Sequence, residues 1–212
     1  MRFSIHVAVA ALALIACNGV HGSGTPKTET RNVPTFTEVE VAAGIEADLR
    51  TGPAGPVSVT ADDNLMANVV TEVANGRLKV GMTGGNVSTS TRVHVVASAP
   101  SFTAVRASSG STVHVAGLAG DALALEASSG ATLTATGTSK SLATTASSGA
   151  TLDASGVVAA AVTASASSGA TLKVDATSAI TGSTSSGASV HVRGAPKTRA
   201  VAESAGGSVS FD

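Results

Sequence analysis

Ala146-Ser147-Ser148-Gly149-Ala150-Thr151-Leu152-Asp153-Ala154 joins a corner of small residues to a run in which apolar and polar residues alternate. The same design stands one unit earlier as Ala127-Ser128-Ser129-Gly130-Ala131-Thr132-Leu133-Thr134-Ala135. One unit later it reads Ala166-Ser167-Ser168-Gly169-Ala170-Thr171-Leu172-Lys173-Val174. Ala107-Ser108-Ser109-Gly110 opens the series, Thr184-Ser185-Ser186-Gly187 is a near copy, and Glu203-Ser204-Ala205-Gly206 is a decayed one. The corner glycines Gly110, Gly130, Gly149, Gly169, Gly187 and Gly206 are 20, 19, 20, 18 and 19 residues apart. A fixed period near 20 marks a repeat architecture.

The third residue after each glycine is Val113, Leu133, Leu152, Leu172, Val190 and Val209, and the fifth is Val115, Ala135, Ala154, Val174, Val192 and Phe211. Between them stand His114, Thr134, Asp153, Lys173, His191 and Ser210. Apolar, polar, apolar is the period of a strand, and no 3.6-residue pattern competes with it. A second apolar column holds Leu123, Leu142, Val162 and Ile180; it breaks at Arg199, where Val201 takes over. Each repeat is therefore one coil with at least two short strands, and successive coils stack about 4.8 Å apart. The expected fold is all-β, a β-solenoid of 19–20-residue coils around a dry aliphatic core. At the corners glycine supplies a positive φ without steric cost. The corner serines either form hydroxyl ladders or face water. Asp153 falls beside Lys173, and Asp175, Arg193 and Asp212 share the next column. Exposed pairs of this kind contribute about 0–1 kcal/mol each, so they mark register more than stability.

Composition agrees. Hydrophobic residues are 43% of the 212, yet there is no Trp or Tyr and only four Phe, so the core is built from Ala, Val, Leu and Ile. Charged residues are 13%, about half the usual ~25%, and the formal net charge is -1. That excludes a basic nucleic-acid-binding face. At the N-terminus, Met1-Arg2 is followed by the apolar run VAVAALALIA over residues 7–16. Ten residues is half of the ~20 that span a membrane, and the form is that of a secretory signal. Leu14-Ile15-Ala16-Cys17 resembles a bacterial lipobox, which implies a diacylglycerol on Cys17, the one cysteine of the chain. The expected organisation is a signal peptide over 1–16, a Gly/Ser/Thr-rich flexible tether over 17–32 and a single β-solenoid domain over 33–212. Within that domain, 33–106 is less regular and 107–212 carries the repeats. The expected location is the bacterial cell envelope after export, with the membrane as partner through the lipid on Cys17.

The less regular half alternates in Phe36-Thr37-Glu38-Val39-Glu40-Val41, Val57-Ser58-Val59-Thr60, Leu78-Lys79-Val80 and Arg92-Val93-His94-Val95. Turn signals separate these runs at Gly52-Pro53, Gly55-Pro56, Asp62-Asp63-Asn64, Asn75-Gly76 and Gly84-Gly85. Residues 65–73 are read as strand rather than helix, and the whole half as further β-coils or a capping sheet on the same core, not as a separate domain. The string Phe36-x-x-Val39-x-Val41-x-x-Gly44-Ile45, then Val57-x-Val59-x-Ala61-Asp62-x-Asn64-Leu65, then Thr71-Glu72-Val73-x-Asn75-Gly76-x-Leu78-x-Val80 resembles the opening of the bacterial "head GIN" domain. That family is labelled "putative auto-transporter adhesin" and its function is unknown; the Ser-Gly-Ala repeats resemble its second half. The resemblance implies a right-handed parallel β-helix carried by lipoproteins or secreted proteins, and it brings no catalytic residue. Phe211 is expected to close the last coil.

Chemistry is scarce. His114 and His191 share an outward column four coils apart, roughly 19 Å, too far to share a metal. Asp62-Asp63-Asn64 lacks the spacing of a calcium loop and reads as an Asx-turn. A catalytic serine is singular and needs a base, whereas the corner serines repeat, so they read as structural. Asp153 and Asp175 lie in different columns, a poor match to paired catalytic carboxylates. No catalytic residue, metal site or cofactor is expected. Without Trp or Tyr, stacking-based glycan binding is disfavoured. The leading reading is a non-enzymatic envelope binding module, adhesin-like, for an unknown glycan or protein ligand and not for nucleic acid. The alternatives are a periplasmic structural or envelope-stress lipoprotein without external ligand, and a polysaccharide-acting enzyme. Exposed strand edges at the solenoid ends suggest self-association.

Overall fold

The computed structural model describes residues 19–84 and 87–212; the signal peptide read over 1–16 and the lipidation read at Cys17 lie outside the described residues. Among the described residues the strands are β1 (Val20–His21), β2 (Pro26–Arg31), β3 (Glu38–Val41), β4 (Glu46–Thr51), β5 (Val57–Asp62), β6 (Val69–Ala74), β7 (Arg77–Met82), β8 (Val87–Ser88) and β9 (His94–Ala99). The series continues with β10 (Ala104–Ala107), β11 (Thr112–Ala127), β12 (Thr132–Ala146), β13 (Thr151–Ala166), β14 (Thr171–Thr184), β15 (Ser189–Arg193), β16 (Thr198–Glu203) and β17 (Ser208–Phe211). The fold is a β-solenoid of about five turns with coils of about 20 residues.

Coils pair in parallel. Val113, Leu133, Leu152, Leu172, Val190 and Val209 lie directly opposite one another in successive coils, and so do Leu123, Leu142, Val162 and Ile180. The first five of the former column are fully buried. Val209, expected in the core with them, is only half-buried: it packs on Val190 from one side, and among the described residues no coil covers its other side. Arg199 faces Ile180, and its guanidinium lies 4.4 Å from the ring centroid of half-buried Phe211.

The corners are two-residue turns of the I′ kind. Ser148 and Gly149 both have positive φ, 53° and 70°, and the Ala150 N–H donates to the Ser147 carbonyl at 3.1 Å. The Gly149 N–H then donates to the Ser168 carbonyl of the next coil at 2.9 Å. The same two bonds recur at the Gly110, Gly130, Gly169 and Gly187 corners. The corner stack is thus held by a main-chain ladder, to which the buried Ser111 hydroxyl adds a bond to the Val41 carbonyl of the neighbouring coil at 3.1 Å.

The stack begins before the visible repeats. β3 and β4 flank the corner Ala42-Ala43-Gly44-Ile45, where Ala43 and Gly44 have φ of 64° and 68°. β3 pairs with β10 and β4 with β11, so this is a first coil of the same solenoid. Residues 52–103 intervene in sequence; among them, 52–84 and 87–103 fold over the end of the stack. β9 extends the parallel sheet beside β4, while β5 pairs antiparallel with β9, and β6 with β7 across the Asn75-Gly76 turn. Residues 63–68, read as strand from Leu65 on, form a 3-10 helix that buries Leu65 and Met66 before β6 begins.

The expected flexible tether is a second departure. Residues 26–31 are β2, paired antiparallel with β5 from Pro26 opposite Asp62 to Arg31 opposite Val57. Pro-Lys-Thr-Glu-Thr-Arg is polar on both faces, so it reads as linker, but its β-capable threonines and charged residues suit an exposed edge strand. Arg31 fixes it by donating to the carbonyls of Met66 and Val69.

Candidate functional site

Two polar columns run along the outer face made by β4, the first halves of β11 to β14, β15 and β17. One is Glu46, Thr112, Thr132, Thr151, Thr171, Ser189 and Ser208; the next is Asp48, His114, Thr134, Asp153, Lys173, His191 and Ser210. Outside these lie Arg50 beside Ala116, and Asp175 beside Arg193. The columns exist because every second residue of a strand points outward and the coils stack in register.

Two clefts indent this face. The first, about 600 Å³, is lined by Asp48, Arg50, Thr51, His114, Thr134 and Thr136. Asp48 Oδ2 lies 2.9 Å from His94 Nε2. Thr51 Oγ1 is buried and has no hydrogen-bond partner among the described residues. The second cleft, about 400 Å³, is lined by Asp153, Ser155, Lys173, His191, Arg193 and Asp212. There Asp153 Oδ1 accepts from the Ser155 hydroxyl at 2.6 Å and from its N–H at 3.1 Å, and Lys173 Nζ stands 3.5 Å from Asp153 Oδ2. Desolvation pushes the Asp153 carboxyl up; the Ser155 bonds and Lys173 outweigh it and hold the group below its ordinary range. His191 Nδ1 is 2.8 Å from Ser210 Oγ. A smaller cleft of about 260 Å³ between Val33, Phe36, Pro56 and Pro100 carries no titratable group.

The opposite run of strands spends its charges differently. Glu72, Lys79, Glu40, Arg106 and Glu126 alternate in sign across five successive strands. Glu38 Oε2 accepts from Arg77 Nη2 at 2.8 Å and from Arg106 Nη1 at 2.9 Å. These two arginines hold the Glu38 carboxyl below the usual carboxylate range. By contrast Arg50 and Arg193 make no ion pair and no side-chain hydrogen bond among the described residues.

The structure keeps His114 and His191 in one column four strands apart, and among the described residues no three His, Cys, Asp or Glu side chains gather as metal ligands. Asp153 is spoken for by Lys173 and Ser155, while Asp175 faces Arg193 in the next column. Asp62-Asp63-Asn64, read as a simple turn, does more. The fully buried Asp62 carboxylate accepts N–H bonds from Gly24, Ser90 and Thr91 at 2.8–3.1 Å. Asp63 accepts from the Ser23 hydroxyl, and Asn64 Oδ1 from the Ser23 N–H. The only signal for this in sequence was the Asp62-Asp63-Asn64 run itself, since its partners lie some 28 to 40 residues away.

These features place the chain in a class of repeat proteins that display a flat polar surface on a rigid solenoid. Residues 35–196 match the family described as "Putative auto-transporter adhesin, head GIN domain", and the chain belongs to that family. A "putative adhesin" of Bacteroides fragilis is similar over 92% of this chain and 100% of its own, with TM-score 0.74 at 16% identity. One of Parabacteroides merdae is similar over 92% and 99%, with TM-score 0.61 at 16% identity. A "putative lipid binding protein" of Parabacteroides distasonis is similar over 91% and 99%, with TM-score 0.56 at 14% identity. At such identities the likeness is one of fold. No curated protein matches the chain.

Proposed function

We propose that the chain is a non-catalytic binding module of the bacterial cell envelope, exported by residues 1–16 and anchored by lipid on Cys17. The observation that carries it is the polar face of β4, β11 to β15 and β17: two outward columns in register from coil to coil, with clefts lined by polar side chains, in which the one hydroxyl–imidazole contact, Ser210 Oγ with His191 Nδ1, has no carboxylate bonded to the ring among the described residues. Membership of an adhesin-like family supports the same reading. Among the described residues no helix is long and apolar enough to cross a membrane.

Two experiments test it. Labelling with a palmitate analogue should mark the wild-type chain and not Cys17→Ser. Protease shaving of intact cells should degrade the domain while a periplasmic control survives. Survival of the domain until the outer membrane is opened would sink the adhesion reading and leave a periplasmic structural role.

A further inference from the structure

We infer that the polar face binds a linear, sparsely acidic polysaccharide laid along the solenoid axis, with Arg50 and Arg193 each taking one carboxylate of the chain. This rests on the binding-module reading above and names its ligand class. The first ground is the contrast between faces. Arg77 and Arg106 are consumed by Glu38, Glu40 and Glu126, whereas Arg50 and Arg193 keep all their donors. A free, planar guanidinium is built for bidentate carboxylate recognition.

The second ground is what surrounds them. Thr51, with its buried unpartnered hydroxyl, and Thr134 and Thr136 line the cleft of Arg50; Ser155 and Lys173 line that of Arg193. Asp175 and Asp212 add acceptors on the same face, Asp48 and Asp153 keep lone pairs beyond those bonded to His94 and to Lys173 and Ser155, and His114 adds ring nitrogens. So many carboxylates repel a dense polyanion such as nucleic acid but accept hydrogen bonds from sugar hydroxyls. Recognition here needs no aromatic platform, which this chain lacks. The third ground is metric. Arg50 on β4 and Arg193 on β15 are five strand steps apart, about 24 Å at the usual spacing; a pyranose chain advances by roughly one strand spacing per sugar, so acids on alternate sugars fall four or six sugars apart, one step off, which the two long, flexible arginine side chains span.

The test uses the purified domain and hyaluronan oligosaccharides of graded length, which carry an acid on alternate sugars, with chitin oligosaccharides and single-stranded DNA as comparators. Calorimetry is expected to show hyaluronan binding that tightens at least tenfold once the chain spans both arginines. Arg193→Ala should abolish that length gain, and Arg50→Ala with Arg193→Ala should weaken long chains at least tenfold. Equal binding of chitin, tighter binding of DNA, indifference to both substitutions or no hyaluronan binding would each overturn the inference. If the domain then still captures some other ligand on an array of purified glycans and proteins, only the ligand class fails; if it captures none, the binding-module reading fails with it.

Discussion

Gly182 stands directly opposite Ala164 in adjacent coils, and a methyl group on it would overlap the Ala164 carbonyl oxygen. Gly149 differs: at the corner its hypothetical Cβ meets nothing within 4 Å, and only its φ of 70° calls for glycine. Gly149→Ala should therefore cost about 1–2 kcal/mol, the usual penalty of the left-handed region. Gly182→Ala should cost more than about 3 kcal/mol, because strain and overpacking add. Urea unfolding of the two variants checks the order, and equal midpoints would refute it.

The aliphatic columns make a graded series. Leu152 is fully buried between coils, so Leu152→Ala should cost about 2–5 kcal/mol through lost burial and a residual cavity. Val209 is half-buried, and Val209→Ala should cost only about 1 kcal/mol. Thermal unfolding monitored by circular dichroism should rank them in that order.

These contrasts show what the sequence can and cannot display. The columns from Val113 onward are legible because stacking in register forces the same residue type at each coil. The first coil could be read only as a further coil or a cap, since its corner Ala42-Ala43-Gly44-Ile45 lacks the serine pair and residues 52–103 interrupt the period. β2 is hidden because an exposed edge strand and a linker share one polar composition. Of the candidate site, His114, Asp153, Lys173, His191 and Arg193 were visible as columns. Arg50, Thr51 and Asp48 were not, because without the repeat the register of their coil against β11 could not be read.

The Asp62 clamp should respond to acid. Desolvation pushes the Asp62 carboxyl up, but N–H bonds from Thr91, Ser90 and Gly24 outweigh it, so its folded value lies below the ordinary one. A depressed carboxylate contributes stability above its unfolded pKa and loses it as pH falls through the folded value. The protection of the Gly24, Ser90 and Thr91 amides against hydrogen exchange, relative to the intrinsic rate at each pH, should fall in that acid range ahead of that of the Leu152 core. In Asp62→Asn it should be low at neutral pH already. Gly22→Ala should mimic this, because a Cβ on Gly22 would collide with the Asp62 carboxylate. Unchanged amide protection in Asp62→Asn would refute the clamp.

The charged side chains of the two faces should part company under mutation. Glu38→Gln removes the acceptor shared by Arg77 and Arg106; with Glu38 about one-third exposed, the loss should be about 1 kcal/mol at low salt and smaller at high salt. Arg50→Ala and Arg193→Ala touch no ion pair and should leave stability within about 0.5 kcal/mol. Denaturant titrations at two ionic strengths separate these outcomes. A salt-sensitive loss at Arg50 or Arg193 as large as that at Glu38 would mean that their guanidiniums are already engaged within the fold. They would then not be free for a ligand, and the contrast between the faces would disappear.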